Sequence, residues 1–477
     1  MKLYNSLTKQ KEEFTPINPG KIGMYHCGPT VYWTQHIGNM RAVVMADLVK
    51  RSFAYMNYDI TLVRNYTDVG HLTGDNDGDA DTGVDRMEKA AEREKIDPII
   101  IAKKYIEQYE SDRAALNTLA PEHSPAATDH INEMIEMVQT LIKKGFAYAT
   151  PLAVYFDISK KSDYTKLSGQ DITEQISDAG HGSVTDSHKK HPQDFALWFF
   201  KTGSHERALQ TWDSPFESPL VKNGTGFPGW HIECSAMSHK YLGDSFDIHM
   251  GGIEHIPIHH TNEIAQSESA NGVMMSRYWL HNEHLSVDGG KMSKSEGTSY
   301  TLDDIIAKDF SALDLRYFFL QAHYRSKQNF TWESLAASQS ALDKIYREIV
   351  MLRESKEKIG GKINSEYKQQ FIEKISDDIN IPQALAVFHS MMKSDITDAD
   401  KLATAYDLDQ VLGLNLEKYQ IEKIEINDDL QALLTQRKQA RDIKDWNLSD
   451  TLRDAISDMG YHVSDVGEEQ TIEKKAN

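Results

Sequence analysis

The sequence predicts an α/β fold that is interrupted by an insertion and continued by helices, and three observations predict it. An apolar run at 22–27 ends in the turn pair Gly28-Pro29, a helical pattern of Met40, Val43, Val44 and Leu48 follows from Asn39, and a second apolar run fills 60–63. A strand, a helix and a buried strand within about 40 residues open a Rossmann-like parallel-sheet unit. That character breaks off near 116 and returns after Gly226. From about 332 onward nearly every segment carries helical periodicity.

Taken in order, residues 1–115 form the first half of the Rossmann-like domain. Residues 116–225 form an inserted connective module, with one helix in ATDHINEMIEMVQTLIKKG and short β-like pieces in AVYFDI and DFALWFF. Residues 226–305 form the second half. There, a strand at 246–252 ends in glycines, and a helix runs from Pro257 through Ala270 to a stop at Asn271-Gly272. Residues 306–414 make an all-α helical domain. Residues 415–477 make a small C-terminal module, in which a linker at 415–427 leads to a last helical unit and a polar tail.

Composition excludes several classes. At 40% hydrophobic and 26% charged residues the chain is neither disordered nor collagen-like. No run reaches the ~18 apolar residues of a membrane span, and residues 1–14 lack an apolar signal core. Two cysteines exclude a disulfide framework. The expectation is a soluble, cytoplasmic, monomeric protein with no membrane partner. The net charge of −20 speaks against a generic nucleic-acid binder, but it leaves room for a local cationic patch. An acidic loop spaces Asp77, Asp79, Asp81, Asp85 and Glu88 like a calcium loop, but Thr82 stands where the obligatory glycine belongs. It reads as a solvated loop.

Chemistry concentrates in a few words. His36-Ile37-Gly38-Asn39 lies where the first strand hands over to the first helix, and the free N–H groups of a helix start favour phosphate there. Alone it equally describes a turn with an N-cap. Lys291-Met292-Ser293-Lys294-Ser295 lies between Gly289-Gly290 and Gly297, a hinged loop whose lysines suit a departing pyrophosphate. Cys27, Cys234, His259 and Glu263 could supply four tetrahedral ligands to Zn²⁺, with His259 and Glu263 one helical turn apart. Spacing alone leaves open that the cysteines are merely small buried apolar residues.

The pairing of HIGN with KMSKS resembles the signature pair of the class I aminoacyl-tRNA synthetases. CGPTVYWTQHIGN, GWHIECSAMSHKYLG and FDIHMGGIEHIPIHHTNEIAQSE resemble three signature blocks of the cysteinyl-tRNA synthetases, and RKQARDIKDWNLSDTLRDAI resembles their C-terminal module. The likeness spans nearly the whole chain. It implies one zinc per chain, held by Cys27, Cys234, His259 and Glu263. It implies ATP with Mg²⁺ at His36, Gly38, Asn39, Glu254 and Lys294, with Lys291, Lys294, His36 and Asn39 acting on the phosphates. It places the amino acid at Thr30, Thr67 and Trp230. Three departures stand out: Asn39 replaces the last histidine of HIGH, Glu254 stands where an aspartate is common, and Thr261 replaces a glutamate beside the ligands.

The resemblance therefore implies an enzyme that joins L-cysteine to tRNA(Cys) through a cysteinyl-adenylate, selecting cysteine by a zinc–thiolate contact. Two rivals share the same motifs. One is a cysteine ligase acting on an amino sugar, as in the mycothiol pathway. The other is a non-catalytic zinc- or tRNA-binding paralogue. The cluster Arg437, Lys438, Arg441 and Lys444 favours tRNA, whose phosphates need such cations.

Overall fold

A computed structural model describes residues 1–74, 83–170, 186–292, 297–355, 360–420, 427–466 and 469–474. Its central sheet has four parallel strands: β1 (Lys21–His26), β2 (Asp59–Arg64), β3 (Phe246–Gly252) and β4 (Ser276–Asn282). They lie side by side in the order β4-β3-β1-β2. The runs at 22–27, 60–63 and 246–252 thus coincide with three of the four, to within a residue at each end. Fully buried side chains such as Met24, Tyr25, Leu62, Val63, Ile248 and Met250 explain why these strands read as near-continuous apolar runs.

The chain leaves β1 through helix α1 (Ile37–Tyr55) to reach β2 on one flank, whereas β3 pairs on the other flank. This reversal opens a crevice beyond the carboxyl ends of β1 and β3, the place where parallel α/β sheets bind ligands. Cys27 follows β1 at that edge, and its N–H donates to Met250 O at 3.2 Å.

Two helix starts differ from expectation. Helix α1 begins at Ile37 rather than Asn39, because His36 is the N-cap. His36 Nδ1 accepts the Asn39 N–H at 3.2 Å, and Asn39 Oδ1 accepts the His36 N–H at 3.3 Å. This reciprocal capping box satisfies two orphan donors of the first turn. The helix expected from Pro257 begins at His259 instead, after a turn at 256–258, and is capped at its far end by left-handed Gly272.

The insertion is backed by an antiparallel sheet of Ala147–Ala149, Ala153–Phe156, Phe195–Phe200 and Gly226–Pro228. Its last strand lies beyond residue 225 and hydrogen-bonds to Phe195–Phe200, so the sheet reaches into the segment assigned to the second Rossmann half. The aromatic core of this sheet, with Phe156, Phe195, Trp198 and Phe200, is continuous with Tyr25, Cys27, Cys234 and Trp279. The insertion therefore buttresses one wall of the crevice.

Helices Trp332–Glu354, Ser365–Ile375, Ile381–Met392 and Asp398–Leu412 pack into the core that also holds α1. Leu414 and Leu416 are fully buried, Tyr346 donates to Leu414 O at 2.8 Å, and the Tyr346 and Tyr419 rings stack at 3.8 Å. The helical body thus extends several residues past 414. The C-terminal unit contains Asp428–Asp442 and Trp446–Asp458 around Leu430, Leu434, Ile456 and Val463. Its polar tail is an antiparallel hairpin, Tyr461–Val466 with Glu469–Lys474, rather than an unstructured end.

A buried ion pair ties the helical body to α1. Arg316 Nη2 lies 2.7 Å from Asp47 Oδ2, both side chains fully buried, and Arg316 Nε and Nη1 donate to Leu412 O and Leu116 O. Removing Arg316 leaves Asp47 paired with Arg51 Nε at 2.9 Å but takes the guanidinium donors from Leu412 O and Leu116 O. Arg316→Met is expected to lower stability by about 1–3 kcal/mol, read as a fall in the denaturant midpoint. An unchanged midpoint would remove this pair from the joint.

Candidate active site and metal centre

Cys27 comes from the end of β1, Cys234 from helix α2 (Trp230–Leu242), and His259 and Glu263 from helix α3 (His259–Asn271). One ligand atom from each lies within 4.8 Å of the other three, and all four residues are buried. Glu263 Oε1 is 3.0 Å from His259 Nε2 and 3.5 Å from Cys27 Sγ. Close approach at Cys27 depends on its neighbour, since a Cβ on Gly28 would fall 1.6 Å from Asn65 O.

The donor set fits a borderline-soft divalent cation such as zinc. His259 Nε2 is buried among thiol and carboxylate groups and, its 3.0 Å approach to Glu263 aside, makes no well-aligned hydrogen bond among the described residues. Its other nitrogen is 3.0 Å from His231 Nδ1, which fixes the ring, and His249 Nε2 holds Glu263 Oε2 at 2.8 Å. Burial pushes the Cys27 thiol up. Burial acts likewise on Cys234, but the hydrogen bond from Cys27 brings it down to about 6. Burial lowers His259, yet the Glu263 carboxylate raises it to about 10. A proton on His259 thus sits where the anionic ligands ask for a cation.

Sequence reasoning missed His249 and His260, which form a second, overlapping group with Cys27 and Glu263. His260 Nε2 is 3.3 Å from Cys27 Sγ, and its Nδ1 is 2.8 Å from His281 Nε2. The available signal was His249 at the centre of the buried strand FDIHMGG, where an unpartnered imidazole is costly.

The residues assigned to the amino acid adjoin this cluster. The Trp230 ring stacks on His259 with centroids 4.0 Å apart. Thr30 and Thr67 form a parallel bridge. Thr67 Oγ1 donates to Glu233 Oε2 at 2.8 Å and accepts from Asn65 Nδ2 at 3.1 Å, while Asn65 Oδ1 accepts the Gly28 N–H at 2.9 Å. Asn65, buried and unnoticed in the sequence, thereby links the metal strand to Thr67.

On the other side stands the HIGN segment. A Cβ on Gly38 would fall 2.2 Å from Met292 Cε, so the start of the KMSKS loop rests on the glycine. Ile37 N donates to Tyr300 O at 2.8 Å, and His36 bridges Thr301. Both described flanks of the loop therefore touch HIGN. Gly290–Lys291 pairs with Leu285–Val287, whereas Ser293, Lys294 and Ser295 lie outside the described residues. Asn39 is committed to the capping box. Glu254 is half exposed, 3.7 Å from His284 Nδ1. The calcium-like loop lies outside the described residues at 75–82, and Asp85 caps the helix Arg86–Glu94.

The expected cationic cluster at 437–444 is only partly available. Arg437 is buried and holds Asp465 at 2.8 Å, and Arg441 shares the same carboxylate at 3.0 Å. Lys438 and Lys444 remain exposed.

The chain has counterparts among known proteins. Residues 13–340 match the class I (C) tRNA synthetase catalytic domain, and residues 425–472 match the cysteinyl-tRNA ligase anticodon-binding domain. The Burkholderia lata cysteine–tRNA ligase 1 is 40% identical, with 98% of this chain and 96% of that one covered. The Treponema denticola cysteine–tRNA ligase is 39% identical, with 99% of each covered. Among solved structures, Mycobacterium tuberculosis methionyl-tRNA synthetase with methionyl-adenylate superposes with a TM-score of 0.55 at 14% identity, covering 83% of this chain and 90% of that one. The Agrobacterium radiobacter K84 LeuRS–tRNA–LeuAMS complex superposes with a TM-score of 0.58 at 12% identity, covering 84% of each. These last two share the fold, and among the described residues no helix is long and apolar enough to cross a membrane. Matched by both domain families and by full-length relatives, the chain belongs to the cysteine–tRNA ligases, within the class I aminoacyl-tRNA synthetases.

Proposed function

We propose that the protein charges tRNA(Cys) with L-cysteine in two steps at the carboxyl edge of the sheet. The observation that carries the choice of cysteine is the convergence of Cys27, Cys234, His259 and Glu263 beside Trp230 and Thr67. Zinc bound by these four residues supplies a Lewis acid that prefers thiolate to hydroxyl. Thr30, Thr67 and Trp230 orient the amino acid, with its carboxylate toward the HIGN helix. ATP, with Mg²⁺, lies along His36, Gly38 and Asn39, with Glu254 at the ribose and Lys291 and Lys294 at the phosphates. The carboxylate attacks the α-phosphorus in line and pyrophosphate departs. The reaction asks the protein for positioning and charge, not for a nucleophile. The 2′-hydroxyl of the terminal adenosine then attacks the carbonyl of the cysteinyl-adenylate, takes the cysteinyl group, and AMP departs.

The domain division follows this chemistry: a Rossmann domain split by the insertion, a helical domain for the tRNA stem, and a C-terminal module for the anticodon. The match of 425–472 supports tRNA rather than an amino sugar as acceptor. Because 414–419 is packed into the helical body, a truncation belongs after residue 420. That truncated protein is expected to keep cysteine-dependent pyrophosphate exchange and to lose roughly ten- to a hundredfold in charging of tRNA. Undiminished charging would refute the role of the module. No charging of total tRNA by the full chain would refute the reading.

A further inference from the structure

His71 stands outside every assignment made above, yet it is built into the amino-acid side of the crevice. It follows β2 in the stretch that carries Asn65 and Thr67. The side chain is 4% exposed, and its ring lies parallel to Trp230, with centroids 4.0 Å apart and planes 8° apart. Trp230 stacks in turn on His259. His71 is thus the outer plate of a three-ring stack that ends on a metal-ligand candidate.

Its two nitrogens are in different situations. Nδ1 is 2.6 Å from Thr30 Oγ1. Nε2 is buried and has no hydrogen-bond partner among the described residues. At 2.6 Å this is a close hydrogen bond, and the hydroxyl can serve it from either side. With the Thr30 hydroxyl donating to Nδ1, the neutral ring carries its own hydrogen on Nε2. Burial, with Arg86 nearby, lowers the imidazole's pKa well below its ordinary value and keeps the ring neutral. The result is a fixed, buried N–H with nothing to donate to. Leaving such a donor unmade is costly, so it marks a place where a ligand completes the site.

The substrate offers three groups. The thiol goes to the metal, and the α-ammonium needs an acceptor. Only the α-carboxylate needs a donor. We infer that His71 Nε2 donates a hydrogen bond to the α-carboxylate of cysteine, with Thr30 fixing the tautomer and Trp230 fixing the ring plane. This rests on the reading that cysteine lies against Thr30 and Trp230 with its thiol toward the metal cluster. His71 then holds the nucleophile of the first step without neutralising it, because the donor is uncharged.

The test uses the zinc-loaded full chain, with cysteine-dependent pyrophosphate exchange, metal analysis and competition by two thiols. Cysteamine keeps the amine and lacks the carboxylate; 3-mercaptopropionate keeps the carboxylate and lacks the amine. His71→Asn, whose amide reaches only as far as Nδ1, is expected to raise the KM for cysteine about 10–100-fold. It should weaken 3-mercaptopropionate by a similar factor and leave cysteamine, the KM for ATP and one zinc per chain unchanged. His71→Gln, whose amide nitrogen reaches the Nε2 position, should recover most of the loss. His71→Phe, which keeps the stack, should behave like His71→Asn. An equal loss for cysteamine, or no loss for cysteine in either variant, would overturn the inference. If neither thiol competes in the unaltered protein, the placement of the thiol at the metal fails, and the inference fails with it.

Discussion

Cys234→Ser is expected to strip the protein of its metal and of cysteine binding together, while ATP binding survives. A serine hydroxyl stays a neutral alcohol at this position and offers zinc no anionic sulfur, so the cluster falls from four ligands to three. The substitution is nearly isosteric. Cys234 is 1% exposed and sits in a helix tied to α3 by Gln266 Nε2, which donates to Ser235 Oγ at 2.8 Å and to the His231 carbonyl. The fold should therefore hold, and the loss should read as chemistry. Metal analysis is expected to fall from about one zinc per chain to well below it. Cobalt substitution of the unaltered protein should give a spectrum that cysteine perturbs, and the variant should give none. His36, Gly38 and Asn39, assigned to ATP, lie at the start of α1, and Glu254 lies just after β3, on elements other than the helix that carries Cys234.

The same site is proposed to carry the discrimination against serine. Cysteine and serine differ by one atom, and pocket shape offers only ~1–3 kcal/mol for so small a change. A thiolate-preferring metal held by these four residues would separate them at the first binding event. Because the described core of the insertion is an aromatic wall behind Cys27 and Cys234, the insertion serves this same pocket structurally. A metal-free preparation that still preferred cysteine by ~10⁴ would overturn the mechanism.

Much of this was legible in the sequence, for identifiable reasons. Buried parallel strands announce themselves as apolar runs, so β1, β2 and β3 stood out. Strand β4 did not, because its run SRYWLHN is broken by Arg277, His281 and Asn282. The terminal hairpin was missed because its strands, YHVSDV and EQTIEK, are short and mostly polar, with Val463, Val466 and Ile472 as their aliphatic residues. The four ligands were found by motif likeness, since they come from three distant segments and no spacing rule joins them. His71, His249, His260 and Asn65 escaped notice because their roles depend on contacts across the sheet edge. Arg437 misled for the opposite reason: a basic cluster in sequence became an intramolecular ion pair once the hairpin brought Asp465 beside it. HIGN shows both lessons at once. The N-cap and the proposed phosphate site are the same residues, because a capped helix start still leaves free N–H groups.

Lys294→Ala is expected to lower the rate of cysteine-dependent pyrophosphate exchange about 10²–10³-fold while leaving cysteine and ATP binding within a few fold. The argument is one of timing. Negative charge accumulates on the departing pyrophosphate only as the bond to the α-phosphorus breaks, so a cation placed there acts on the transition state and not on the bound substrates. The described flanks of the loop support this placement. Met292 rests on Gly38, and Tyr300 and Thr301 close on Ile37 and His36, so both described flanks of the loop are strapped to the helix start proposed to receive the phosphates. Asn39, held in the capping box by His36, has its side-chain oxygen spent on the helix start and carries no charge. The positive charge that a histidine could bring at that position is therefore missing, and the demand on the lysines is correspondingly greater. A fall in rate with the KM for ATP nearly unchanged would establish a transition-state role. A rise in the KM for ATP with the rate preserved would make Lys294 a ground-state phosphate contact instead, and normal exchange would remove it from the chemistry altogether.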